Sequence, residues 1–112
     1  MKVWPLSMPF KEVLRNYDEI RSKAYMALVR DLPCCVCNRD GPSDPHHPHG
    51  VGYRGVGTKA PDIWCIPLCR QHHDDLHHDR REWEHRYGSQ FEFASVTYAN
   101  LWALGLIGIN GG

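Results

Sequence analysis

Apolar residues recur at helical spacing in the first third of the chain. Between Phe10 and Arg30 there is no proline or glycine, and apolar side chains return every three or four positions. This spacing predicts an amphipathic helix over about 10–30, either continuous or broken near Ser22. Leu32-Pro33 is expected to end it, because proline disfavours helical backbone in the residue before it. The basic residues on its polar face are interpreted as a solvated surface, with phosphate contact as the alternative.

The remaining apolar pattern predicts a short strand and two helices. The run 63–66 is apolar and lies between Pro61 and Pro67, which is typical of a buried strand. A polar segment over about 70–86 predicts a helix that ends at Gly88, since glycine commonly follows the last helical residue. The pattern over about 95–106 predicts a final helix whose large apolar side chains cover the core, namely Tyr98, Leu101, Trp102 and Leu104.

Length and charge limit what the chain can be. At 112 residues it is expected to form one domain over 1–112, with a modest core that metal binding would help to stabilise. Its net charge of zero, with neutral histidines, argues against a protein that coats nucleic acid through bulk charge. The sequence has no apolar run of ~18 residues and no signal-peptide pattern at its start. We therefore expect a cytosolic protein without a membrane partner.

Cysteine and histidine are concentrated in the middle of the chain. All five cysteines lie between positions 34 and 69, and all eight histidines lie between 46 and 85. In a cytosolic protein such clusters are more often metal ligands than disulfides. Two pairs, Cys34-x-x-Cys37 and Cys69-x-x-His72, have the spacing that presents two ligands to one ion from a tight turn. Together they predict a closed Cys₃His site, which is typical of structural zinc.

Two further cysteines leave alternatives at this site. Cys35 could replace Cys34 as a ligand, although its spacing from Cys37 is poorer for chelation. Cys65 lies in the apolar run and is expected to be a small core residue rather than a ligand.

A second cluster combines Asp44-Pro45-His46-His47 with two histidines of the predicted helix. His73 and His77 are four residues apart and so share one helix face, where they can bind one ion. The third ligand is expected to be His46 or His47, which would face opposite ways on a strand. Three ligands with open positions are typical of a catalytic metal, and a neighbouring histidine suits a general base. The alternative is an adventitious His-rich tract; His49, His78 and His85 are interpreted as surface residues.

These residues resemble the zinc-containing members of the HNH nuclease superfamily over roughly residues 25–87. The matching motifs are Cys34-x-x-Cys37, His46-His47 and Leu68-Cys69-Arg70-Gln71-His72-His73-Asp74-Asp75-Leu76-His77. The chain is more narrowly similar to phage-borne HNH proteins of the recombination-enhancement (Ref) nuclease type. That closer similarity lies in Leu32-Pro33-Cys34-Cys35-Val36-Cys37, Gly57-Thr58-Lys59-Ala60-Pro61-Asp62 and Pro67-Leu68-Cys69.

The resemblance implies an α+β fold with a ββα-metal core, in which a hairpin packs on one helix around the ion. It assigns His46, His73 and His77 as ligands of a catalytic divalent ion and His47 as the general base. The family's middle asparagine, which braces the base, has no plain counterpart, and Asp62 is the nearest candidate. It also implies DNA as the substrate, a bacterial cytoplasmic setting for a phage or prophage protein, and a host recombinase or another phage protein as a further partner.

Local charge agrees with a DNA substrate. No acidic residue lies between Asp44 and Asp62, whereas Arg54 and Lys59 do. With Arg70, these two residues are the candidate phosphate contacts.

The sequence thus leaves two main hypotheses. The first is a metal-dependent endonuclease with structural Zn²⁺ and Mg²⁺, Mn²⁺, Ni²⁺ or Zn²⁺ in the active site; three imidazoles favour the last three on softness grounds. The second is a non-catalytic, zinc-stabilised module that binds DNA or protein. A disulfide-stabilised secreted protein is a minor third hypothesis.

Overall fold

The structure, a computed structural model, describes residues 21–49 and 60–107. Most of the helix predicted over 10–30, the glycine-rich stretch 50–59, and with it Arg54 and Lys59, lie outside the described residues. The described part forms four α-helices, one short 3-10 helix and a two-stranded sheet, which confirms the predicted α+β class. The elements in chain order are α1 (Lys23–Asp31), β1 (Asp44–His46), the 3-10 helix (Asp62–Trp64), β2 (Ile66–Leu68), α2 (Arg70–His78), α3 (Arg80–Tyr87) and α4 (Gln90–Ala103).

The sheet pairs β1, which ends just before His47, with β2, which ends just before Cys69. Its two strands are antiparallel, with His46 opposite Ile66. The strand predicted over 63–66 is therefore wrong in its bounds, since its first residues belong to the 3-10 helix and Pro67 lies inside β2. The carbonyl of Pro67 accepts a hydrogen bond from Cys35 N–H at 2.9 Å, so the backbone of Pro67 faces away from β1. Because the missing N–H of Pro67 would lie on this outer edge, the proline costs the β1–β2 ladder no hydrogen bond.

The predicted helix over 70–86 is two helices, which meet at Asp79. The backbone of Asp79 is extended (φ −153°), and the Asp79 N–H donates to the carbonyl of Asp75 at the end of α2. Its carboxylate accepts from Glu82 N–H at 3.1 Å and so caps α3. An aspartate that satisfies the free N–H groups of a helix start is a strong N-cap, and this local signal outweighs the continuous polar pattern. Gly88 ends α3 as predicted, with φ +121°.

The first helix ends where proline predicts, at Leu32. It begins at Lys23, directly after the N-cap Ser22, whose hydroxyl accepts from Tyr25 N–H at 3.1 Å. The helix therefore does not run through Ser22, the position at which the sequence allows a break, because its hydroxyl satisfies a free N–H group of the first helical turn.

The last helix begins earlier than the predicted 95–106 and buries another face. Ser89 caps it by accepting from Phe91 N–H at 3.1 Å, and its buried residues are Gln90, Ala94, Thr97 and Leu101. Of the large side chains expected to cover the core, Tyr98, Trp102 and Leu104 are instead 40, 47 and 58% exposed. The buried set has clean helical spacing but consists mostly of small or polar residues, so residue size was a misleading guide.

Two buried clusters hold these elements together. One packs β2 against α2, α3 and α4 and contains Ile66, Leu68, Leu76, Trp83 and Ala94 with two cysteines of the predicted zinc site. The other joins α1 to α4 through Tyr25, Val29, Cys65 and Leu101. Cys65 is fully buried there, as expected for a core residue, and its sulfur also lies within 4.8 Å of ligand-type atoms of His47 and Asp62. Among the described residues, no helix has both the length and the apolar character that crossing a bilayer requires.

Candidate metal centres

Four ligand-type side chains converge where the loop after α1 meets the start of α2. Their ligand atoms all lie within 4.8 Å of one another, and they belong to Cys34, Cys37, Cys69 and His72. The two sulfurs of Cys37 and Cys69 are 3.8 Å apart, and His72 Nδ1 is 3.1 Å from Cys69 and 4.0 Å from Cys34. Two thiolates at tetrahedral zinc are separated by roughly 3.8 Å, from Zn–S bonds of ~2.3 Å. The group is therefore compatible with zinc.

The choice between Cys34 and Cys35 is decided by where each side chain points. Cys35 is absent from the four-residue group and packs against the apolar cluster, where burial raises the pKa of its thiol to about 12. Burial also acts to raise the pKa of Cys34, but the backbone hydrogen bonds from Cys37, Cys69 and Val36, together with the Cys37 side chain, outweigh burial and lower the pKa. A thiolate is the form that binds metal, so Cys34 is the suitable ligand.

Three histidines form a second group at the open side of α2. His46 stands at the end of β1, and His73 and His77 lie one turn apart on α2. His73 Nε2 is 3.3 Å from His46 Nδ1 and 3.1 Å from His77 Nε2. Two imidazole nitrogens bound to one tetrahedral ion are about 3.3 Å apart, from metal–nitrogen bonds of ~2.05 Å. These three nitrogens are thus spaced as ligands of one ion.

Two polar partners orient these histidines, and sequence analysis gave neither a role. Asp44 Oδ2 accepts from His73 Nδ1–H at 3.0 Å, and Gln90 Oε1 accepts from His46 Nε2–H at 2.9 Å. Each contact leaves the opposite ring nitrogen free to bind an ion. Burial lowers the pKa of His46 to about 3, and the neighbouring His73 acts in the same direction. His46 is therefore neutral near pH 7, as a metal ligand must be.

His47 lies beside the three-histidine group and contacts Asp62, the residue named as its candidate brace. His47 Nε2 is 2.8 Å from Asp62 Oδ1, and Ser22 N–H donates to Asp62 Oδ2 at 2.6 Å. Burial acts to raise the pKa of Asp62, but the hydrogen bonds from His47 and from the Ser22 N–H, together with the charges of His47 and Arg21, outweigh burial and lower the pKa, so the carboxylate stays ionised. Because an ionised carboxylate can only accept, His47 donates to it through Nε2–H.

The histidines predicted to lie on the surface divide into two kinds. His78 and His85 are exposed, as predicted. His49 is half-buried: its ring stacks on His77 with centroids 5.5 Å apart and meets the His46 ring edge-on at 5.3 Å. The interpretation of His49 as a surface residue is therefore wrong. Two hydrogen bonds between its backbone and the Gln90 side chain hold this residue against the three-histidine group.

Of the three candidate phosphate contacts, Arg70 is the one within the described residues. Its side chain is 71% exposed at the start of α2 and lies 3.1 Å from Asp44 and 3.9 Å from Asp74. Surface ion pairs of this kind contribute ~0–1 kcal/mol, so these two carboxylates hold the guanidinium only weakly.

Comparison with known proteins gives a family for most of the chain. Residues 15–105 match the family described as "Protein of unknown function (DUF968)". Over 83 residues, 74% of this chain, the sequence is 41% identical to the "Uncharacterized protein YdfU" of Escherichia coli (strain K12). The chain spans about a quarter of the length of that relative (24%). No solved structure matches the chain.

Proposed function

The chain belongs to the DUF968 family, and we propose that it is a metal-dependent endonuclease of the HNH type that hydrolyses phosphodiester bonds in DNA. The observation that supports this proposal best is the pairing of an open three-histidine group with a separate histidine–carboxylate pair. His46, His73 and His77 converge on one point, and His47 beside them is held by Asp62 at 2.8 Å. A pure binding module has no use for the second arrangement.

The order of the elements also supports a ββα-metal core. β1 and β2 form an antiparallel pair, and α2 follows β2 directly and packs against both strands. His46 comes from the end of the first strand, whereas His73 and His77 come from the helix. This is the arrangement that the HNH resemblance implies for the ligands of its catalytic ion.

In the proposed reaction, each described side chain has a separate task. His46, His73 and His77 would hold a divalent ion, which when bound would stabilise charge on the phosphate and the leaving oxygen. Asp62 fixes the ring of His47 with Nε2 protonated, and Nδ1 then accepts a proton from the attacking water. Because Asp62 stays ionised, it also stabilises the imidazolium that this transfer creates.

The four-ligand group has a structural role in this proposal. A closed Cys₃His set offers no open position for a substrate, unlike the three-histidine group. It would instead tie the loop before β1 to the first turn of α2, the helix that supplies His73 and His77. Structural Zn²⁺ is the ion we propose there, with Mn²⁺, Ni²⁺, Zn²⁺ or Mg²⁺ in the catalytic group.

The resemblance supplies the biological part of the proposal. We place the protein among phage-type HNH nucleases that act on DNA in the bacterial cytoplasm, with a host recombinase or another phage protein as a partner. Arg70, together with Arg54 and Lys59, would contact the DNA phosphates.

Plasmid cleavage tests the proposal. Supercoiled plasmid incubated with the zinc-loaded protein and Mn²⁺, Ni²⁺ or Mg²⁺ should be nicked or linearised, and His47→Ala should lose this activity while still binding the catalytic metal. His85→Ala is the matched control, because it removes an exposed histidine outside both groups. Equal nicking by wild type and His47→Ala would remove His47 as the base.

The exposed apolar face of α4 favours the second candidate, a non-catalytic zinc module that binds a protein. Val96 and Trp102 are 61 and 47% exposed on this face, and unpaired apolar surface commonly marks an interaction site. A single zinc per chain, no binding of a second metal and no cleavage with any of the metals above would favour this candidate over the nuclease.

A further inference from the structure

We propose that Gln90 is a positioning residue that sets the tautomer of His46 and thereby prepares the three-histidine group for its ion. Gln90 is completely buried at the first residue of α4, far along the chain from the motif residues. This inference rests on the proposed metal site but not on the proposed cleavage reaction, and it extends the site to a residue outside the motif.

The backbone of His49 determines which way the Gln90 amide faces. His49 N–H lies 3.2 Å from one end of the amide, and His49 C=O lies 2.9 Å from the other end. Only an oxygen can accept from the N–H and only the amide nitrogen can donate to the carbonyl. Gln90 Oε1 must therefore lie on the side of the N–H, and the alternative flipped amide would lose both hydrogen bonds.

The orientation of the amide then determines the proton position on His46. The same Oε1 atom is 2.9 Å from His46 Nε2. Because Oε1 can only accept, His46 Nε2 must carry the proton, and Nδ1 must carry the lone pair. That nitrogen is the one that lies 3.3 Å from His73 Nε2 in the three-histidine group. A neutral histidine in the other tautomer would direct an N–H at the ion.

Gln90 is itself held in place by the preceding helix. Its backbone N–H donates to Glu84 Oε2 at 3.2 Å, and the other oxygen of Glu84 accepts from Arg80 at 2.7 Å. The side-chain amide of Gln90 is therefore attached to a helix terminus with a fixed backbone rather than to a loop. Such support keeps a metal ligand in its binding geometry. Through Gln90, α3 and α4 contribute to a site whose ligands lie on β1 and α2.

Metal binding by Gln90 variants tests this role. Co²⁺ is added to protein whose cysteine site already holds zinc, and its visible absorption bands are followed; no thiolate-to-cobalt charge-transfer band should accompany them. Gln90→Met keeps the side-chain length but removes the acceptor, and we expect Co²⁺ affinity to fall by about 10–100-fold, the usual effect of losing such a partner. Gln90→Glu keeps an oxygen that accepts from His46 and should restore most of the affinity. Thr97→Val, a buried change on the same helix whose hydroxyl bonds to the backbone of Phe93, should leave it unchanged.

The tautomer of His46 provides a second measurement, which would not change if Gln90 only stabilised the fold. In ¹⁵N NMR spectra of the zinc-loaded protein without Co²⁺, His46 should be the Nε2–H form in wild type and Gln90→Glu, and this preference should be lost in Gln90→Met. Wild-type Co²⁺ affinity in Gln90→Met, or an unchanged His46 tautomer, would overturn the inference. If Gln90→Met does not fold, an Nδ1–H form of His46 in wild type would overturn it equally. Suppose that Co²⁺ binding depends on Gln90 as expected but the wild-type protein does not cleave plasmid. This result would count against the nuclease proposal and leave the inference about Gln90 intact.

Discussion

His72 and His73 are adjacent in α2, yet their ring nitrogens belong to different ligand groups. His72 Nδ1 lies 3.1 Å from Cys69 Sγ, whereas His73 Nε2 lies 3.3 Å from His46 Nδ1. Successive residues on a helix point about 100° apart, so one turn of α2 can face two sites. The position of the three-histidine group therefore depends directly on the four-ligand group that anchors the start of the same helix.

If the four-ligand group holds zinc, loss of this ion should consequently disorder the three-histidine group as well. Cys37 is exposed, and replacing an exposed residue normally changes stability by less than about 0.5 kcal/mol. If Cys37 binds zinc, Cys37→Ser should instead remove the metal and unfold the chain, because structural zinc contributes on the order of 10 kcal/mol or more to small domains. Zinc content and far-ultraviolet circular dichroism measure both effects.

The neighbouring Cys35 provides the control for this prediction. Cys35→Ser changes a thiol outside the four-ligand group, so one zinc per chain should remain bound. A Cys37→Ser protein that keeps its zinc and its helical signal would show that the four residues do not form the site.

Asp62→Asn should impair the base without removing the metal. An amide can turn its nitrogen toward His47 and favour the wrong tautomer, and it cannot stabilise an imidazolium as the carboxylate does. General-base catalysis contributes about 10²–10⁴-fold, so kcat for plasmid nicking should fall within this range, with KM little changed. Single-turnover nicking and Co²⁺ binding separate the two effects, and Asp40→Asn, a change at an exposed carboxylate, is the control. Full activity of Asp62→Asn would exclude Asp62 as the brace.

The spacing of cysteines and histidines predicted which residues meet, because it is a local property of the chain. Cys34 and Cys37 share one tight turn, and Cys69 and His72 share the first turn of α2, so two short motifs suffice to define the group. His73 and His77 follow equally from helical periodicity. The resemblance then separated His46 from its neighbour His47, which local reasoning had left open.

Contacts across long sequence separations were not predictable in this way. Gln90 meets His46 over 44 residues, and no spacing rule links a lone glutamine to a distant histidine. The sequence offers one signal for Gln90: it is a polar residue on the face of α4 whose other residues, Ala94, Thr97 and Leu101, are buried. The helix boundary at Asp79 and the place of Pro67 inside β2 were not predicted for another reason. Hydrophobic periodicity contains no information about helix caps or about which backbone groups face the outer edge of a sheet.

The free energy of unfolding should fall as the pH is lowered from 7, in part because of His46. Its pKa is about 3 in the folded protein and about 6.5 in an unfolded chain, so between these values the unfolded state binds more protons. The contribution of His46 to stability is thus greatest above about pH 6.5 and decreases towards pH 3; from pH 7 to 5.5 this one group should remove on the order of 1 kcal/mol.

Urea unfolding of the zinc-loaded protein at several pH values measures this slope, and the comparison is His46→Gln, which cannot titrate. The variant should lose less stability than wild type over the same interval. Parallel pH profiles for the two proteins would mean that His46 is not held neutral in the folded state.

Asp44→Asn tests whether the carboxylate behind His73 orients this ligand. Asp44 Oδ2 accepts from His73 Nδ1–H at 3.0 Å, and Arg70 approaches the same oxygen to 3.1 Å. An amide that turns its nitrogen toward His73 would favour the tautomer with the proton on Nε2, the nitrogen that faces the ion. We expect Co²⁺ affinity to fall about 10–100-fold, as for other partners of metal-binding histidines.

Asp74→Asn is the control that separates orientation from charge. Asp74 also stands near the start of α2, but its carboxylate is 66% exposed and lies 3.9 Å from Arg70. Both variants remove one negative charge from the same region, so a general electrostatic effect on the cation would weaken binding in both. Weaker binding in Asp44→Asn alone assigns the effect to the hydrogen bond with His73, whereas equal losses in the two variants would reject that assignment.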